Sequence, residues 1–396
     1  MIVVAVASGT SADGLDVGVV DLWRGHDRSI DVRVLDTWTE PWPDQLGERL
    51  LALLPPATTT AAEVAALDTA LGQAVGRAAA TAVARTPAPV DLVVSPGQTI
   101  HHEVVGDACL GTLQIGQPAW VAEATGLPVV SDLRTRDVAA GGHGAPLAGI
   151  LDRLWLAGGS GPRVALNLGG IANVSVVAPD GSTLAWDTGP ANCLLDVAAA
   201  RATEGRQGYD VDGGLASRGR VHQRLLDVLL EHPHYTLTPP VSTGRETFSA
   251  AYLDEALARV ADGDGRPDWP DVLATLVALT ATTVADAVRP HAPVEVVASG
   301  GGARNPVLMA ALADRLDARL RTSDELGLPG DGKEAVLWAL LGWLTWHGVP
   351  VTTAPGTRTP RVLGRISPGN EPLVLPTPIP PPTRLTVHAR DEERTP

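Results

Sequence analysis

Residues 3–21 constrain this 396-residue chain more than any other stretch: Val-Val-Ala-Val-Ala-Ser-Gly-Thr-Ser-Ala-Asp-Gly-Leu-Asp-Val-Gly-Val-Val-Asp. An apolar run breaks at a turn of Gly, Ser, Thr and Asp, and a second apolar run follows. That pattern predicts strand, glycine turn, strand. Gly9 and Gly14 permit a tight turn and a close backbone approach to a ligand, while Thr10 and Ser11 add hydroxyl donors around a nest of amide N–H groups. Asp13 and Asp16 disfavour a bare phosphate but suit a Mg²⁺ that arrives with one. A polar hairpin turn without a ligand fits the same residues.

The motif repeats in form. Arg163–Val177 is again strand, glycine turn, strand, with Gly169-Gly170 at the turn and Asn167 and Asn173 beside it. Between the two hairpins, Ile30–Trp38 reads as a strand, Ala61–Ala84 and Pro118–Thr125 as helices, and Asp91–Ser95 and Leu127–Ser131 as buried strands. After the second hairpin the spacing predicts helices over Asn192–Thr203, His222–Glu231, Ser249–Val260 and Pro270–Val288. A strand follows at Val294–Ala298, then a helix from Val307, and a buried all-apolar helix at Lys333–Trp346. Two halves that each open on a glycine-turned hairpin suggest two similar α/β domains around a cleft, where ligands usually sit.

Three further segments carry chemistry. Ser299–Asn305 places three consecutive glycines between a buried strand and a helix N-terminus, leaving room for a flat ring or a phosphate; a tight connection without ligand fits equally. Asp187, in Trp-Asp-Thr-Gly-Pro, is a carboxylate at a strand end that suits a general base on a hydroxyl or a water, though an Asx-turn or helix cap uses the same residue. In Val130–Pro146, Arg134, Arg136 and Asp137 precede a glycine-rich loop. An arginine there suits a substrate carboxylate, and a surface ion-pair cluster is the alternative.

Other classes are excluded. A net charge of −15 and a pI near 5.0 argue against nucleic acid and acidic membranes as partners. Cys109 and Cys193 are too few for a disulfide scaffold or a cysteine metal site and point to a reducing cytoplasm. The N-terminal apolar run lacks a basic leader and is too short to span a membrane. There is no P-loop, no nucleophile elbow, and no Gly-x-Gly-x-x-Gly between a strand and a helix. His101, His102 and His143 make no zinc-ligand spacing with cysteine or acidic partners. Lys333 is the only lysine.

Taken in order, the segments resemble the anhydro-N-acetylmuramic acid kinase family. The likeness is carried by Gly9–Asp16, Gly97-Gln-Thr99, Thr112–Gly116, Val130–Pro146, Asn167–Asn173, Asp187-Thr-Gly-Pro190, Ser242-Thr-Gly-Arg-Glu246, Gly300–Pro306, Lys333-Glu-Ala335 and Val362-Leu-Gly364. It spans roughly Ile2 to Asn370. The resemblance implies an α/β fold of two duplicated actin-like ATPase (ribonuclease H-like) domains around an ATP cleft. It implies an N-terminal domain over 1–133, completed by 350–370, and a C-terminal domain over 134–349. Residues 371–396 are expected to be a disordered tail.

The implied reaction opens the 1,6-anhydro ring of anhydro-N-acetylmuramic acid with water and transfers the ATP γ-phosphate to O6, in cell-wall recycling. By the same resemblance Asp187 is the general base and Glu334 the second acidic residue. ATP is expected on Gly9, Thr10, Ser11, Ala12, Asp13, Gly14, Leu15 and Asp16, on Gly169 and Gly170, and on Gly300, Gly301, Gly302 and Ala303. Mg²⁺ is expected through ATP, with Asp13 and Asp16 reached through water. Gln98, Thr99, Arg134 and Asp137 are implied sugar contacts, and a homodimer stays open. The chain departs from the family at Pro96 (usually His), His143 (usually Gln) and Asp331-Gly-Lys-Glu-Ala335 (usually Asp-Ala-x-Glu-Ala). A kinase of another sugar and a non-catalytic nucleotide-binding paralogue are the rival readings.

Overall fold

The computed structural model describes residues 1–8, 14–43, 45–54, 57–105, 108–261, 265–352 and 359–390. The chain forms two compact units, Met1–Trp155 with Gly327–Pro396, and Leu156–Leu326. The first opens with β1 (Ile2–Ala7), β2 (Leu15–Arg24), β3 (Ser29–Glu40), α1 (Leu46–Leu51) and α2 (Ala61–Arg85). Then come β4 (Leu92–Ser95), the hairpin β5 (Gln98–Val105) and β6 (Ala108–Ile115), α3 (Pro118–Thr125), β7 (Val129–Ser131), α4 (Thr135–Ala139) and α5 (Ala148–Leu156). The second unit holds β8 (Arg163–Leu168), β9 (Ile171–Val177), β10 (Thr183–Pro190), α6 (Asn192–Ala202), α7 (Gln223–Leu230) and α8 (Ala250–Ala261). It continues with α9 (Trp269–Val288), β11 (Glu295–Ser299), α10 (Pro306–Ala313) and β12 (Arg319–Thr322). The chain returns to the first unit for α11 (Lys333–Trp346), β13 (Arg365–Ser367) and β14 (Arg384–His388).

The sheets repeat one plan. In the first unit the order is β13-β7-β4-β1-β2-β3-β14, and in the second β10-β9-β8-β11-β12. Within the first, the β3–β2 and β2–β1 pairs are antiparallel, while the β1–β4 and β4–β7 pairs are parallel. The second matches this: β10, β9 and β8 are antiparallel, and β11 and β12 parallel. Both are thus a three-stranded meander extended by two crossover strands, which is the ribonuclease H-like topology expected of each half.

Alternation along the strands sorts the helices of the first unit. Val4, Val6, Val17, Val19 and Val93 share a core with Leu67, Leu71, Val75 and Ala78 of α2. Their neighbours Gly18 and Val94 point to the opposite face, which α11 covers. A Cβ on Gly18 would fall 2.4 Å from the Ala335 Cβ, and one on Gly342 would fall 2.1 Å from Val94 Cγ2. Bare glycines therefore let α11 lie flat on the strands, and this is why its sequence is apolar nearly all round.

Two expectations are revised. The division falls at 155/156 and 326/327 rather than 133/134 and 349/350, because α11 packs on β1, β2 and β4 and so belongs with the first sheet. Part of the stretch expected as a disordered tail is ordered: Arg384–His388 pairs parallel with Ser29–Arg33 of β3. In the second unit α9 is long and apolar enough to cross a membrane by length and composition. Its residues are instead core, packed with α6, α10 and the sheet.

Candidate active site

In the second unit the predicted residues gather where β8 and β11 end. The β8–β9 turn is tied to the start of α6: the Ala191 and Cys193 N–H groups donate to the Gly170 carbonyl at 3.0 Å, and Asn192 N–H donates to the Gly169 carbonyl at 3.1 Å. Asn192 Nδ2 adds a bond to the Leu168 carbonyl at 3.0 Å. A trans peptide sets its N–H opposite its C=O, so the Gly170 N–H, which shares a peptide with the Gly169 carbonyl, points away from α6. The Gly300–Ala303 segment packs against the same strand end. Gly300 has φ +82°, and a Cβ there would meet Asn167 Oδ1 at 2.7 Å and the Leu168 carbonyl at 3.0 Å. A Cβ on Gly302 would lie 2.8 Å from the Leu168 Cβ. These positions are closed to any side chain but hydrogen.

Asp187 lies within β10, opposite Asn173 of β9, at a register shift between Asp187 and Gly189. It caps no helix. Its N–H donates to the Val241 carbonyl at 3.0 Å, and its Oδ2 accepts the Thr243 N–H at 2.8 Å. The buried His234 donates from Nε2 to the Asp187 carbonyl at 2.9 Å. Burial raises the Asp187 pKa; the Thr243 N–H and the nearby His234 oppose that rise, and Glu246 adds to it. The result is a fixed, partly desolvated carboxylate suited to taking a proton. Cys193, by contrast, is pushed up to about 11 by burial, which makes it inert as a nucleophile.

In the first unit Gly9, Thr10, Ser11, Ala12 and Asp13 lie outside the described residues. Gly14 packs on β3, where a Cβ would meet Glu40 O and Thr39 Cγ2 at 2.8 Å. The Leu15 side chain is buried in the core with Val17 and Val19, so only its backbone can face a ligand. The Asp16 Oδ1 accepts the Thr39 hydroxyl at 2.6 Å.

The predicted sugar residues also sit in the first unit. Gln98 opens β5 and is 3% exposed, with its Oε1 buried and lacking a hydrogen bond among the described residues. Thr99 Oγ1 accepts Gln114 Nε2 at 3.2 Å, and the same nitrogen donates to Thr112 Oγ1 at 2.7 Å. Arg134 donates to the Gly144 carbonyl at 2.8 Å, and its guanidinium lies 5.4 Å from the Trp338 ring centroid. Burial lowers the Arg134 pKa while Glu334 opposes that shift. Trp338 Nε1 in turn donates to Glu334 Oε1 at 3.2 Å. His102 joins this group: burial, Arg134, His143 and His101 all lower its pKa. Asp137 is buried, and its Oδ2 accepts the Gly144 N–H at 2.7 Å, which holds the glycine-rich loop.

Thr243, Arg245, His234 and Trp338 acquire roles that the sequence did not assign. The Ser242–Glu246 motif marked Thr243 and Arg245, but nothing in it named Asp187 or Gly170 as their contacts, and no motif marked His234 or Trp338.

A duplicated ribonuclease H-like fold, with glycine turns at its strand ends and a desolvated carboxylate beside them, is the α/β architecture of the actin-like ATPase class. A family model described as anhydro-N-acetylmuramic acid kinase matches residues 1–369, and the chain belongs to that family. Anhydro-N-acetylmuramic acid kinase of Streptomyces avermitilis is 52% identical over 95% of this chain and 97% of its own length. That of Streptomyces coelicolor is 50% identical over 97% and 98%, and that of Rhodococcus erythropolis is 46% identical over 96% and 97%. A ROK family glucokinase from Streptomyces griseus shows a distant likeness, with a TM-score of 0.35 and 15% identity over 87% of this chain and 99% of that one.

Proposed function

We propose that this chain opens 1,6-anhydro-N-acetylmuramic acid with water and phosphorylates its O6 from ATP, giving N-acetylmuramic acid 6-phosphate and ADP within peptidoglycan recycling. The observation that carries the chemistry is Asp187, whose carboxylate accepts the Thr243 N–H, whose backbone is held at both N–H and C=O, and which burial makes more basic, in a chain that matches the kinase family along nearly its whole length. Asp187 removes a proton from water, and the water oxygen bonds to the anomeric carbon. The C1–O6 bond breaks, and O6 takes the γ-phosphoryl group as ADP leaves. Coupling the two events is economical, because ring opening creates the alkoxide that phosphoryl transfer needs.

Gly169, Gly170 and Gly300–Ala303 are assigned the nucleotide through their backbone amides. Gly9–Asp16 is assigned the same role in the first unit from its sequence. Asp16, oriented by Thr39, is a single carboxylate, which suits a Mg²⁺ carried on ATP with most of its ligands from phosphate and water. The ion would screen phosphate charge. Arg134, with Gln98 and Thr99 nearby, suits an anionic, hydroxyl-rich amino sugar, and Glu334 acts as the second acidic group.

The test is ADP release on adding the anhydro sugar, with turnover in H₂¹⁸O. Label at C1 of the product supports the reading. ADP release without label assigns an ordinary sugar kinase, and no release above the ATP-only background removes the activity.

A further inference from the structure

We propose that Arg245 is a nucleotide-phosphate contact: its guanidinium, laid over Gly170, takes oxygens of the ATP polyphosphate at the β8–β9 turn. The inference rests on the kinase reading above and names a residue for its nucleotide site.

The geometry is specific. A Cβ built on Gly170 would lie 2.8 Å from Arg245 Nε, 3.0 Å from Nη2 and 3.3 Å from Cζ. The guanidinium therefore covers the Cα of the turn, in space that only glycine leaves open. It is also exposed. Arg33, Arg163, Arg201, Arg259, Arg289, Arg321 and Arg365 each meet a carboxylate within ion-pair distance. Among the described residues Arg245 meets none. Other described arginines also lack a carboxylate partner, and what sets Arg245 apart is its place over the Cα of a glycine turn.

Its surroundings fit an anion. Both carbonyls of the turn, Gly169 and Gly170, are consumed by α6 N–H groups. They are therefore not available to repel a phosphate, while the Gly170 N–H points the other way. Burial pushes the Asp196 carboxyl up to about 6, and the charge of Arg245 opposes that shift. The guanidinium fork can bond two phosphate oxygens at once, which an ammonium cannot. Arg245 is also two residues from Thr243, whose N–H fixes the Asp187 carboxylate. One short loop thus holds the base and presents the cation.

The experiment is calorimetric titration of the full chain with ATP, ADP, AMP and adenosine, for the wild type and for Arg245→Met, Arg245→Lys and Gly170→Ala. For Arg245→Met the expected result is ATP affinity lowered roughly 10- to 100-fold, as for loss of a charged hydrogen-bonding group. ADP or AMP should lose less, and adenosine should bind unchanged. The salt dependence of ATP binding should flatten, and Arg245→Lys should recover part of the loss. Gly170→Ala, which displaces the guanidinium while keeping its charge, should weaken ATP and spare adenosine as well. Equal losses for ATP and adenosine, or no loss for ATP, overturn the role of Arg245. A wild-type protein that binds neither ATP nor adenosine removes the kinase reading itself, a separate outcome.

Discussion

His234 donates its Nε2–H to the backbone carbonyl of Asp187 at 2.9 Å. The Asp187 N–H and Oδ2 are bonded to Val241 and Thr243. The carboxylate is therefore held from the backbone on both sides as well as at its own oxygen. Little reorganisation is left for the moment of proton transfer.

Replacing Asp187 with Asn keeps the shape and removes the base. Turnover should fall by roughly 10²- to 10⁴-fold, while calorimetric ATP affinity stays within a factor of two or so. Near-normal rates in this variant would remove Asp187 as the base. The pH dependence follows from its raised pKa. The base works ionised, so kcat/KM should drop as pH falls through a value above that of an ordinary aspartate. Stability runs the other way. The folded chain holds this proton more tightly, so the stability it contributes is fully present below the unfolded pKa and is lost as pH rises through the folded one. Urea midpoints of wild type and Asp187→Asn, compared across pH, should diverge with that sign.

His234→Leu strips a buried carbonyl of its donor, which should lower stability by about 1–3 kcal/mol. Because His234 helps hold the Asp187 pKa down, the acid limb of the activity profile should shift to higher pH. A kcat loss with unchanged ATP KM is expected, and His234→Gln should restore part of it if its amide reaches the same carbonyl. A stability loss with an unmoved acid limb would reduce His234 to a packing residue.

The sole lysine carries its own prediction. Lys333 Nζ lies 2.8 Å from Asp152 Oδ1, with the two side chains 13% and 4% exposed, and Glu334 follows directly in the first turn of α11. Lys333→Met should leave a buried carboxylate unpaired and cost about 3–5 kcal/mol in urea unfolding. The double variant Lys333→Met with Asp152→Leu should recover much of that loss. Failure to recover would mean the pair acts through something other than its charge.

Gly342→Ala should be far costlier than an ordinary helix substitution, despite the better helix propensity of alanine. The added methyl meets Val94 Cγ2 at 2.1 Å, and overpacking of this kind costs about 1–3 kcal/mol. Val94→Ala in the same chain should relieve part of the clash, measurable as a partial return of Tm.

Much of this architecture was legible because its cues are local. Both glycine-turned hairpins, the long α2 and the apolar α11 follow from periodicity within a single window. The β5–β6 hairpin gave no such cue, because its strands are largely exposed and interrupted by register shifts. β14 was missed because the prolines before it suggest disorder, whereas its order comes from an edge more than 350 residues away. The site divides along the same line. Asp187 and the glycines announce themselves in short motifs. Thr243 and His234 act on Asp187 across 56 and 47 residues, and only folding makes them neighbours. The domain boundary was misplaced for a related reason: α11 follows the second unit in sequence but packs on the first sheet.

The pairing of β14 with β3 has a consequence for handling the protein. β3 is a 12-residue strand, and β14 covers its Ser29–Arg33 end with a 5-residue one. A clipped product ending near residue 369 would bare that run of backbone donors and acceptors, a template on which a second molecule can add a strand. Such a truncation should keep its core and yet become prone to self-association, so that the last ordered strand serves as a guard on solubility.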